Sequence, residues 1–185
     1  DYIMHFNQFL KAFKDDRYIK VDGKLLFLVF NPFGIPDVKH FTELWNKLAK
    51  ENGLEGFHFV ASNSAPKLKL DSTTSSFEND YKKKIEGTRA LGFDAVMTSN
   101  QKNAELKVAG KFRKILNSIV RRFMPSLYVE KYSYKKIIEN LYTNLDKRND
   151  VYPQLLAGWD RSPRSGRKAI VYYGTTPETF KYAAE

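Results

Sequence analysis

Asp22–Pro32 reads DGKLLFLVFNP, and this stretch decides the fold. Asp22-Gly23 is a turn signal. Lys24 to Phe30 is then almost continuously apolar until Asn31-Pro32 stops it. An apolar run of this length without alternation suits a strand buried on both faces, as in a parallel sheet. Upstream, Ile3, Phe6, Phe9, Leu10 and Phe13 recur at three- and four-residue steps, which predicts a helix over Tyr2 to Lys14. Downstream, Asp37 is placed to cap a helix from Val38 to Asn52, with Phe41, Leu44, Trp45 and Leu48 as its apolar stripe and Gly53 as its stop.

The pattern repeats along the chain. Strands are expected at Phe57 to Ala61, at Ala95 to Thr98, at the apolar run Leu155-Leu156-Ala157-Gly158 ending in Trp159-Asp160, and at Ala169 to Tyr173. Helices are expected around Tyr81 to Leu91, over Lys111 to Phe123 (Phe112, Ile115, Leu116, Ile119 and Val120 on one face), over Tyr134 to Leu145, and from Pro177. Residues 64–80 are polar, lack a period and read as a long loop. Apolar strands alternating with amphipathic helices argue for a parallel sheet in an α/β fold, either part of a barrel or a doubly wound sheet. No linker or internal repeat divides residues 1–185, so a single domain or a piece of one is expected.

In both architectures ligands bind at the carboxyl ends of the strands. The expected rim is therefore Asn31, Ser62 and Asn63, Ser99 and Asn100, Trp159 and Asp160, and Gly174 to Thr176. Asn, Ser and Asp at such places also make ordinary turns and caps. Asp160 could orient a sugar hydroxyl or pair with Arg164. Trp159 could stack on a pyranose face or seal a core. Arg164 could hold a phosphate or carboxylate in two parallel hydrogen bonds. Tyr132 and Tyr134 are weaker candidates for the rim, and Arg161 and Arg167 suit loop bracing.

Composition narrows the rest. The net charge of +10 raises a polyanion partner, yet the cations are scattered, so solvated surface plus a local anionic-ligand site is preferred and nucleic acid is not the expected partner. Cysteine is absent, and His5, His40 and His58 are far apart, so no metal is expected. There is no GxGxxG, P-loop or nucleophile elbow, and no cofactor is expected. No apolar run reaches membrane-span length, and a cytoplasmic protein is expected.

The segment Pro153…Trp159-Asp160…Ser162-Pro163-Arg164…Gly166, followed by Gly174-Thr175-Thr176-Pro177-Glu178-Thr179-Phe180, resembles the glycosyltransferase WbsX family, also described as glycoside hydrolase family 99-like domains. Asp15-Asp16-Arg17-Tyr18-Ile19-Lys20-Val21-Asp22-Gly23-Lys24 resembles an earlier segment of the same family. Arg161 departs from it, standing where the family usually has Asn. The resemblance implies a partial (β/α)8 TIM-type barrel made of later strands and helices. It implies glycosyl transfer or glycoside hydrolysis in polysaccharide or lipopolysaccharide O-antigen assembly, with a carbohydrate or sugar nucleotide as partner. The substrate-binding set expected from the strand ends and the loop after Asp160 is Asn31, Asn100, Trp159, Asp160, Arg164 and Thr175. The family's Asn-Glu-Trp-x-Glu-Gly segment, the expected carrier of its paired glutamates, does not occur in these residues. Since glycoside cleavage ordinarily needs two carboxyl groups, these residues alone are expected to be inactive. The alternative reading is a non-catalytic carbohydrate- or polyanion-binding module. Exposed sheet edges would favour self-association.

Overall fold

In a computed structural model, residues 1–68, 74–123, 129–166 and 169–185 are described, with the backbone only for Thr74, Lys111, Lys114, Ser118 and Arg121. Arg167 and the middle of the 64–80 stretch lie outside the described residues. Along the chain the elements are α1 (Tyr2–Phe13), β1 (Lys20–Val21), β2 (Lys24–Val29), α2 (Val38–Glu51), β3 (Phe57–Ser64), α3 (Thr74–Arg89), β4 (Ala95–Ser99), α4 (Gln101–Ala109), α5 (Lys111–Phe123), β5 (Glu130–Ser133), α6 (Tyr134–Ile138), β6 (Val151–Pro153), α7 (Ser162–Ser165), β7 (Ile170–Tyr173) and α8 (Pro177–Ala184). The fold is mixed α/β with a curled, mostly parallel sheet, which fits part of an α/β barrel.

The chain forms two compact units. The first comprises Asp1–Pro66, Ser75–Thr98 and Lys147–Tyr152. Its sheet runs β1-β2-β3-β4-β6. Asp22 and Gly23 both take positive φ, so they make a two-residue hairpin turn that lays β1 antiparallel to β2. β2 then pairs in parallel with β3, Leu25 opposite Phe57 and Val29 opposite Ala61. Trp45 of α2 is fully buried among Phe6, Phe13, Phe41, Phe57 and Phe27, with the Phe41 ring centroid 4.8 Å away. Its indole donates to the Tyr2 carbonyl at 3.0 Å, so the one polar atom of this side chain is satisfied. The capping of α2 is as expected: the Asp37 carboxylate accepts from the His40 amide at 3.1 Å.

The apolar run of β2 is buried on one face only. Leu25 and Val29 enter the aromatic core, whereas Leu28 and the following Phe30 are exposed. Within this unit the aromatic core, to which α1 and α2 contribute, lies on one side of that strand.

The second unit comprises Lys67–Thr74, Ser99–Asp146 and Pro153–Glu185. Its sheet is the parallel pair β5–β7, with Glu130 opposite Ile170 and Ser133 opposite Tyr173. Tyr132, Tyr134, Ile137, Leu156 and Tyr172 form its core. Four expectations are corrected here. Leu155–Asp160 is not a strand: Gly158 takes φ +142°, and the segment makes a single antiparallel bridge, Asp160 with Val171. Tyr134 does not face a rim: both tyrosines are buried, their hydroxyls donate to the Glu130 carboxylate and the Leu156 carbonyl, and of the two Tyr132 alone lines the hollow at the carboxyl ends of β5 and β7. The helix from Tyr134 ends at Ile138, where turns take over. The apolar side of α5 points to solvent rather than into the core.

Candidate functional site

Among the residues expected to bind substrate, Asn31 belongs to the first unit and the other five to the second. Asn31 is exposed and stands before a short 3-10 turn, Pro32–Gly34, without making a capping hydrogen bond. A Cβ on Gly34 would meet its amide, which would then have to swing aside. Asn100 is buried, and both ends of its amide are used inside the protein. Nδ2 donates to the Leu141 carbonyl at 2.9 Å, and Oδ1 accepts from Asn103 at 2.7 Å. This side chain braces α4 against the turn after α6.

Trp159, Asp160, Arg164 and Thr175 flank the bridge to β7. The Trp159 carbonyl accepts from the Tyr172 amide at 2.8 Å, and its indole packs against the second core. The Asp160 carboxylate accepts from the Ser162 amide at 2.7 Å and is exposed. Hydrogen bonds from the Ser162 side chain and backbone hold its carboxyl below the ordinary range. Asp160 thus starts the single turn α7, which carries Arg164 into solvent. Thr175 is exposed and leans over Gly158, 3.4 Å from where a Cβ would stand.

A second cluster sits at the carboxyl ends of β5 and β7. In β5 the side chains alternate: Glu130 and Tyr132 turn inward, Lys131 and Ser133 outward. Parallel pairing sets Tyr173 beside Ser133. With Arg113 from α5 and Lys136 from α6, these residues line a hollow of about 180 Å³. Three cations face it, and no acidic side chain lines it among the described residues. Tyr173, itself exposed, adds an aromatic ring to the wall.

β5 and β7 also anchor a buried polar network. The Tyr172 hydroxyl donates to buried Glu105 at 2.7 Å and accepts from Gln101 at 3.0 Å. Burial, and then the charge of Glu105, push the Tyr172 phenol well above its ordinary value, so it stays protonated and keeps donating. Glu130 accepts from Tyr132 and, at 3.4 Å, from Asn117. A pocket of this make-up suits an anion: the guanidinium can fork onto two phosphate oxygens, and each ammonium adds a point charge. The sequence holds a trace of it, since Lys131, Lys135 and Lys136 interleave with Tyr132 and Tyr134. The pairing of β5 with β7, which sorts those side chains, was not readable.

A family model described as Glycosyltransferase WbsX matches residues 1–185. The chain is also similar to the uncharacterized protein WxcX of Xanthomonas campestris pv. campestris (strain B100), 18% identical over 180 residues. That similarity covers 97% of this chain and 22% of the relative, so the chain spans about a fifth of the protein it matches. No solved structure matches it.

Proposed function

The chain belongs to the glycosyltransferase WbsX family, and from that premise we propose that it holds the anionic leaving group of an activated sugar donor during glycosyl transfer. Membership makes it part of a carbohydrate-active protein. The observation that carries the finer reading is the hollow at the ends of β5 and β7, with Arg113, Lys131 and Lys136 around it. A sugar nucleotide presents a diphosphate between a sugar and a base. The three cations suit the diphosphate, and the exposed Tyr173 ring suits a sugar or base face. Charge that builds on the departing phosphate would be stabilised by cations already in place. In this reading the sheet is part of a (β/α)8 barrel, and the parent acts in assembly of a surface polysaccharide such as the lipopolysaccharide O-antigen. Trp159, Asp160, Arg164 and Thr175 would then flank the sugar end, with Asn100 as a support. Hydrolysis is the weaker reading because a neutral glycoside gives three cations nothing to hold.

Calorimetric titration of the chain tests this with inorganic diphosphate, a uridine diphosphate sugar and a neutral oligosaccharide. The first two should bind, and Lys131→Ala or Lys136→Ala should each weaken them about tenfold, near 1.4 kcal/mol. Binding of the neutral oligosaccharide alone, or unchanged donor affinity in both variants, would sink the proposal. Preference for long polyanions over the donor, with a steep salt dependence, would favour a non-catalytic binding module instead.

A further inference from the structure

We infer that α5 docks flat on an anionic phospholipid surface. The inference rests on the helix itself and not on donor binding in the hollow. Phe112, Ile115, Leu116, Ile119 and Phe123 recur at helical spacing and form one stripe. All five are exposed, from 48% for Leu116 to 81% for Phe112. The helix instead meets its own unit through a polar side chain. Asn117 is the one fully buried among its described side chains, and its amide reaches Glu130. A helix serving the core would be turned the other way.

Charge selects the occupant. Residues 106–129 carry Lys107, Lys111, Arg113, Lys114, Arg121 and Arg122 and no Asp or Glu. At about 100° per residue, Arg113 and Arg122 fall on opposite sides of the apolar stripe. Cations at both edges of an apolar face can reach lipid phosphates while the stripe enters the acyl boundary. A second copy of this chain fits worse, because two acid-free cationic segments would meet face to face. Each Lys or Arg near an anionic surface raises affinity about fivefold, and this term is screened by salt. No described helix is long and apolar enough to cross a membrane, so α5 is read as lying in the interface plane.

The test is co-sedimentation of the whole chain with vesicles of phosphatidylcholine alone or with about a third phosphatidylglycerol, in low salt. Partitioning should be about tenfold or more stronger onto the anionic vesicles and should fall with added salt. Phe112→Ser/Ile119→Ser and, separately, Lys107→Glu/Arg122→Glu should each reduce it about tenfold, whereas Phe112→Leu/Ile119→Leu should retain it. None of these four residues lines the hollow, so diphosphate binding and far-ultraviolet circular dichroism should be unchanged and show that the variants are folded. Equal partitioning onto both vesicle types, or no loss in the Ser double variant, overturns the inference. So does lipid-free self-association that the Ser double variant abolishes, since a second copy would then be covering the stripe.

Discussion

Asp150 shows how a single side chain can tie elements that are distant in sequence. Arg148 grips it in two parallel hydrogen bonds of 2.8 Å, and Arg89 of α3 adds a third at 2.8 Å. Its own carbonyl accepts from Val96 of β4 at 2.9 Å. The Arg148 hydrogen bonds, helped by the charges of both arginines, hold the carboxyl at about 2, against an ordinary 3.8. Because the folded value is depressed, the stabilisation is complete above about 4 and is lost as pH falls through about 2. Both guanidiniums are partly solvated, which discounts the gain. We expect Asp150→Asn to cost about 1–2 kcal/mol at pH 7. Urea unfolding of wild type and variant at pH 7, 4 and 2 should show the gap closing between the last two. A gap unchanged at pH 2 would mean that the carboxylate charge is not what stabilises this corner.

At the scale of elements, the β1–β2 hairpin depends on backbone that few residues accept. Gly23 stands at φ +79°, and a Cβ there would run into the Glu55 carboxylate. Gly23→Ala should therefore cost about 1–3 kcal/mol in urea unfolding, while Asp22→Asn should be neutral because Asn-Gly favours the same turn. Equal stability of the Ala variant would mean that the hairpin relaxes to another turn. This turn was legible, as were α1, α2 and α8, because caps and apolar periods agree there with the packing. Other elements were hidden for identifiable reasons. In α4, Asn103 and Glu105 are buried, so the burial pattern runs against polarity. In β5 the inward positions include Glu130, so alternation of apolar and polar residues does not mark the strand. The period of α5 was visible, but not which way it faces: a stripe has the same spacing whether it meets a core or solvent. Of the site, Trp159 and Asp160 stood out by residue type. Lys131 and Lys136 did not, since a lysine at a site and a lysine in solvent read alike until strands are paired.

The molecule as a whole carries two cores of different character. The first is built on interlocked rings around Trp45, and its buried polar side chains among the described residues, Thr42, Asn63, Thr88 and Thr98, are all uncharged. The second buries Glu105, Glu130, Asn100, Asn103 and Asn117 beside its tyrosines. Burying a full aromatic side chain gains about 1.5–3 kcal/mol, whereas a buried carboxyl must recover its hydration through hydrogen bonds. The first unit should therefore outlast the second. The chain has two tryptophans, Trp45 in one core and Trp159 against the other, so each unit carries its own fluorescent reporter. In urea, Trp159→Phe leaves Trp45 to report the first unit, and Trp45→Phe leaves Trp159 to report the second. The Trp45 signal should change at the higher urea concentration once each midpoint is corrected for the cost of its substitution, measured by circular dichroism. Coincident midpoints with equal slopes would instead mean one cooperative transition. In that case the five passages of the chain between the units would outweigh the difference between their cores.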